Sequence, residues 1–188
     1  MNQTIWPIIE NCPVIAAIKD MEGLTQCLTS EIQIVFVLFG DVCNIGDIVA
    51  MLKRANRITF VHIDLIAGLS GKEVALDFIK NTTQADGIIT TKQGLIKHAK
   101  ELGLLTILRY FVIDSMALLN IEKQSSSVNP DLIEILPGVM PKIIKRVNRF
   151  SHVPVIAGGL ISDKEDVLSA LNSGAIAIST TNSSMWFV

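Results

Sequence analysis

The sequence predicts a compact (β/α)8 TIM barrel, one α/β domain spanning residues 1–188 with a truncated last helix. Three observations point there. Short runs rich in Val and Ile alternate with helical patterns along the whole chain, as in a parallel sheet covered by helices. The runs number eight, which favours closure into a barrel over an open sheet. After the eighth run only Thr181 to Val188 remain, too few residues for a full helix.

Each element follows from its local pattern. Strands are expected near Val14–Ala17, Ile34–Phe39, Thr59–Asp64, Gly87–Thr90, Leu104–Leu108, Leu132–Leu136, Val155–Ala157 and Ala175–Ser179. They are nearly continuous in hydrophobicity, because parallel strands bury both faces. The intervening helices are expected at Met21–Thr29, Ile45–Asn56, Gly71–Asn81, Lys92–Leu102, Asp114–Lys123, Pro141–Phe150 and Ser162–Ser173. Ser162-Asp163-Lys164-Glu165 reads as a capping box, and Pro141 suits a first helical turn. Gly103 and Gly174 stand where a helix must stop. Ser125-Ser126-Ser127 is a short loop before the sixth strand. The apolar tail Met185-Trp186-Phe187-Val188 needs cover. It either packs beside the first strand or meets a second copy of the chain, giving a homodimer.

Composition narrows the function classes. With 49% hydrophobic residues the chain can bury a substantial core. Only 18% of residues are charged and the net charge is -2, so a nucleic-acid contact would have to use a local basic patch. Lys142, Lys145, Arg146 and Arg149 form one such stripe at i, i+3, i+4 and i+7, and Lys53, Arg54 and Arg57 form a smaller group. Each is either a polyanion contact or an ordinary solvated helix face. Cys12, Cys27 and Cys43 fit neither a zinc site nor a redox pair, and read as small hydrophobes in a reducing compartment. No basic segment followed by an apolar run opens the chain, and the longest apolar stretch, Ile34 to Phe39, is too short for a membrane span. A cytoplasmic protein without a membrane partner is expected.

In barrels of this kind, ligands collect where strands hand over to the following loops. Val155-Ile156-Ala157-Gly158-Gly159 and Gly174 to Thr181 both end in small residues. Gly158 and Gly159 allow close approach of the main chain to an oxyanion, and Ser179 and Thr180 offer hydroxyls. Together they read as a phosphate cup. Lys19 after the first strand is either a second anion contact or a solvated lysine. Glu134 lies inside an apolar strand, so its carboxylate needs a partner. That partner is either a hydroxylated ligand or an internal cation, Arg109 or Lys19. His62 and Asp64 alternate on the third strand and should face the same side, as an acid/base pair or as structural filling. No residue cluster has metal-ligand spacing, no nucleophile motif of the Gly-x-Ser-x-Gly type is present, and no cofactor is expected.

Several segments together carry a family resemblance. They are Phe39-Gly40-Asp41, Val61 to Leu69, Ala85 to Ile89, Arg109 to Ser115, Pro130 to Gly138, Ile156 to Ile161 and Gly174 to Asn182. The chain resembles the bacterial glycerol-3-phosphate-responsive antiterminators from about Pro13 to Trp186. The best markers are Glu134-Ile135-Leu136-Pro137-Gly138 and Asp114-Ser115. The resemblance implies a barrel that binds glycerol 3-phosphate as effector and acts on leader mRNA of glycerol-utilisation genes, a regulator and not a catalyst. By position it implies that Gly158, Gly159, Ser179 and Thr180 hold the phosphate and that Glu134 addresses the glycerol hydroxyls. Thr91 departs from the family's more usual Ser-Thr order, and Thr181 stands where Ser is common. Loops after the first, fifth and sixth strands are then expected to order on ligand binding, and Gly158→Asp is expected to abolish binding with the fold retained. The rival reading is an enzyme on the same scaffold acting on a small glycerol or sugar phosphate through Asp64, Glu134 and Lys19. A metabolite sensor acting on a protein partner is a third.

Overall fold

The structure is a computed structural model and describes residues 5–124 and 127–187. The predicted loop residues Ser125 and Ser126, and Val188 of the tail, lie outside the described residues. Eight parallel strands close into a barrel in chain order. They are β1 (Val14–Ile18), β2 (Ile34–Val37), β3 (Ile58–His62), β4 (Gly87–Thr90), β5 (Leu105–Phe111), β6 (Leu132–Leu136), β7 (Val155–Gly158) and β8 (Ala177–Thr180). The helices are α1 (Trp6–Asn11), α2 (Met21–Thr29), α3 (Ile45–Arg54), α4 (Glu73–Thr82), α5 (Ile96–Glu101), α6 (Ser115–Gln124), α7 (Pro141–Phe150) and α8 (Lys164–Asn172). Closure is completed where Val14, Ile15 and Ala16 of β1 pair with Ile178, Ser179 and Thr180 of β8.

Alternation along the strands sorts their side chains into two cores. Ile15, Ile34, Phe36, Phe60, Ile89, Ile107, Leu132, Ile156 and Ala177 fill the barrel interior. Phe36 and Phe60 meet there edge to face, with centroids 5.7 Å apart. The intervening residues, such as Val35, Val61, Leu108, Ile135 and Ile178, pack outward against the helices. Two positions further along β3, β5, β6 and β8 from the apolar layer, the inward-facing residues are His62, Arg109, Glu134 and Ser179, all buried. A polar layer therefore closes the C-terminal mouth of the barrel.

The opposite end is closed by α1, which the sequence analysis did not predict. It is one and a half turns long and begins with Pro7 in its first turn, too short for a readable helical period. Ile5 and Ile9 plug the barrel bottom against the interior core, leaving a gap of only about 20 Å³ lined by Trp6, Phe60 and Leu132 among others.

Other departures are local. β3 stops at His62, and Ile63–Leu65 turn as a 3-10 helix, so Asp64 is not on the strand. β5 runs on to Phe111, which places Arg109 inside it. The helix start near Ser162 is shifted by one residue. Asp163 is the N-cap and accepts from the Asp166 N–H, while Asp166 accepts from the Ser162 N–H and hydroxyl. The tail settles one of its two alternatives in part. Ser183–Phe187 forms a 3-10 helix that packs on β1 and α2, with Met185 and Trp186 buried. Trp186 Nε1 donates to the Thr180 carbonyl at 3.0 Å. Phe187 stays 59% exposed. Cys27 is a core residue, Cys12 is partly buried, and Cys43 is exposed, so the small-hydrophobe reading fails for Cys43. No helix among the described residues is long and apolar enough to cross a membrane.

Candidate functional site

The strand ends of β6, β7 and β8 fix the site. At the end of β7 the chain passes through two consecutive left-handed residues, Gly159 (φ 76°) and Leu160 (φ 62°). Glycine adopts this conformation freely, whereas a leucine is strained there. The turn is held from both sides. The Gly138 N–H donates to the Gly159 carbonyl at 3.0 Å. Thr180 Oγ1 donates to the Ile161 carbonyl at 2.8 Å, and Asn182 Nδ2 donates to the Ser162 carbonyl at 2.8 Å. The loops after β7 and β8 thus form one wall. Beside it opens a recess of about 450 Å³ lined by Ala17, Leu38, Arg109, Glu134, Leu136, Gly159 to Ser162 and Ser179 to Asn182.

Glu134 anchors the floor. It is fully buried; its Oε2 accepts from Arg109 Nε at 2.6 Å and its Oε1 accepts from the Ser179 hydroxyl at 2.5 Å. Of the two partners left open for Glu134, the structure supplies the internal cation, Arg109. A buried pair of this kind is tolerable because each charge has both a counter-charge and hydrogen bonds. The strands bring it about: β5 and β6 pair Arg109 directly with Glu134.

Of the expected phosphate residues, Gly159, Ser179 and Thr180 line this recess and Gly158 does not, and the side chains have tasks other than those their types suggested. The Ser179 hydroxyl donates to Glu134 and the Thr180 hydroxyl to Ile161. A Cβ at Gly158 would overlap Glu134 Oε1 and lie 2.6 Å from Ser179 Oγ. Gly158 is therefore glycine to admit the Glu134 carboxylate. The expectation that Gly158→Asp leaves the fold intact is corrected on that ground. Gly159 lines the recess with its positive φ. Among the described residues, the main-chain N–H groups of Gly159, Leu160 and Thr181 have no protein acceptor. All three residues line the recess together with Arg109. The sequence offers Arg109 as a strand-end cation that could pair with Glu134; the structure also places it in the lining of the recess, a role for which a guanidinium within the run Thr106-Ile107-Leu108 to Tyr110 is a usable signal.

Lys19 lies elsewhere on the mouth. It is exposed and lines a neighbouring recess with Asp20, Phe39 and Asp47. His62 and Asp64 are near one another, with Nδ1 and Oδ2 4.0 Å apart. Burial, helped by the Arg109 charge, lowers the His62 pKa to about 4, so its ring is neutral near pH 7. Burial pushes Asp64 up, but its hydrogen bonds from the Thr91 N–H and hydroxyl and from Thr90, with the charge of His62, prevail and hold it below the usual carboxylate range. Lys92 Nζ lies 3.7 Å from Asp64 Oδ1. No group of three metal-ligating side chains occurs among the described residues. The four stripe residues Lys142, Lys145, Arg146 and Arg149 are all exposed on α7, whose sequence contains no acid.

Comparison with known proteins follows the same lines. Residues 14–186 match the family described as glycerol-3-phosphate responsive antiterminator. A glycerol uptake operon antiterminator regulatory protein from Listeria monocytogenes is similar in structure, with a TM-score of 0.90 and 34% identity over 94% of this chain and 95% of that one. A glycerol uptake operon antiterminator-related protein from Thermotoga maritima superposes with a TM-score of 0.82 at 33% identity, covering 92% and 96%. An uncharacterised Escherichia coli protein, YgcP, is 46% identical over 179 residues, 95% of this chain and 94% of that one.

Proposed function

The chain belongs to the glycerol-3-phosphate responsive antiterminator family, and from that premise we propose that it binds glycerol 3-phosphate at the barrel mouth and, so loaded, acts in the cytoplasm on leader mRNA of glycerol-utilisation genes. It works as a regulator, not as an enzyme. The observation that carries the ligand half is the recess itself. Gly159, Leu160 and Thr181, whose main-chain N–H groups have no protein acceptor among the described residues, line it together with the buried Arg109. Main-chain amides beside a cation suit a phosphate dianion. Lys19, exposed in the neighbouring recess after β1, is a second candidate cation for the ligand. The RNA half is supported by the acid-free stripe Lys142, Lys145, Arg146 and Arg149 on α7.

Ligand and RNA must be linked through one equilibrium, since an effector acts only by binding two states of the protein unequally. The test is a titration of leader RNA with and without glycerol 3-phosphate, alongside thermal unfolding with the same ligand. RNA affinity should rise with the ligand, and the unfolding temperature with it. RNA binding indifferent to glycerol 3-phosphate would overturn the regulatory reading. Turnover of the ester by the purified protein would favour the enzyme in its place.

A further inference from the structure

The mouth contains one buried polar group that the hydrogen-bond network leaves out. His62 is 2% exposed, and its Nδ1 has no hydrogen-bond partner. Among the described residues only Arg57 Nε shares that condition. A buried polar atom without a partner is costly and is rare in folded proteins. The nearest carboxylate oxygen, Asp64 Oδ2, is 4.0 Å away, beyond direct hydrogen-bond reach. Asp64 is not free to close the gap, because Thr90 and Thr91 hold it with hydrogen bonds of 2.7 to 3.2 Å.

Two fixed polar atoms at this separation match one bridging oxygen, since two hydrogen bonds of about 2.8 Å from a single oxygen span roughly 4–5 Å. The charges around the gap select what that oxygen belongs to. Arg109 bears on the ring and disfavours a cation, while the Asp64 carboxylate disfavours an anion. A neutral hydroxyl satisfies both: it accepts from Nδ1–H and donates to the carboxylate. Glu134 is less suited to this task, because Arg109 and Ser179 already engage its two oxygens. Arg109, Glu134 and Ser179 line the recess and share their inward-facing layer with His62, although His62 and Asp64 are not themselves among the lining residues.

We propose that His62 Nδ1 and Asp64 Oδ2 together bind a hydroxyl on the carbon skeleton of the phosphoester, making His62 the residue that separates polyol phosphates from hydroxyl-free ones. The proposal rests on the mouth being a phosphoester site. The neutral ring that burial and Arg109 maintain is what allows it to serve a hydroxyl near pH 7.

Calorimetric titration of the whole protein with glycerol 3-phosphate and with propyl phosphate tests it. The protein should prefer glycerol 3-phosphate by about 10- to 100-fold, the range expected when a buried polar group loses its partner. His62→Leu should bring the preference below about 3-fold with propyl phosphate affinity unchanged, and His62→Asn, which keeps a donor near Nδ1, should restore part of it. Asp64→Asn gives an independent arm should the leucine variant not fold, and should also lower the preference. If both esters bind the unaltered protein equally, or if the preference survives in the folded variants, the gap holds only structural water and this assignment fails while the phosphate site stands. If neither ester binds, the phosphate reading falls and this one with it.

Discussion

The Glu134 carboxylate occupies the space in which a side chain at Gly158 would begin. Two neighbouring strands thus share one volume, and the glycine on β7 exists to receive the acid on β6. Gly158→Ala should therefore destabilise the protein by about 1–3 kcal/mol through overpacking, read by denaturant unfolding. A stability unchanged from the parent would mean that Glu134 can withdraw.

Removing the acid has the opposite geometry and a larger cost. Glu134→Ala leaves the buried Arg109 without its counter-charge and should lose about 3–5 kcal/mol. The double variant Glu134→Leu with Arg109→Met should recover most of that loss, because neither charge is then stranded. Equal instability of the single and double variants would show that packing, and not charge pairing, governs this position.

His62 makes stability depend on pH. Its pKa is about 4 in the fold and roughly 6.5 in an unfolded chain. Between these values the unfolded state binds the proton and the folded state does not, so stability falls as pH drops from about 6.5 to 4. The loss should approach about 3 kcal/mol. His62→Gln should flatten that window. Asp64, whose pKa is lowered, contributes separately, losing its share as pH falls below the ordinary carboxylate value and through its own.

Leu160 is held at φ 62° yet is 74% exposed. Leu160→Gly should relieve the left-handed strain with little loss of buried surface, raising stability by up to about 1 kcal/mol. A thermal scan reads it. A marked drop in unfolding temperature would mean that the leucine side chain packs where it looks free.

Replacing Lys142, Lys145, Arg146 and Arg149 with alanine should weaken RNA binding and reduce the slope of log affinity against log salt by about 3, near 0.7 per lost phosphate contact on a single strand. Thermal stabilisation by glycerol 3-phosphate should persist. An unaltered slope would place the RNA on another face.

By itself the sequence determined the order of alternating strands and helices, the closure number and the position of the mouth. These follow from local apolar runs, caps and stop signals, which each segment carries alone. It also marked Glu134 as needing a partner, because a carboxylate in an apolar strand is costly wherever it lies. The tertiary structure decided which partner. Strand register set Arg109 beside Glu134, and barrel closure brought Ser179 to the same carboxylate from 45 residues away. It also gave Thr180 a carbonyl across the mouth and left His62 Nδ1 without a partner. Pairings of this sort depend on inter-strand register and on which atoms are already engaged, neither of which a single segment encodes. The plug helix α1 escaped sequence reading for a related reason: six residues are too few for a period, and only the open barrel bottom gives Ile5 and Ile9 a place to go.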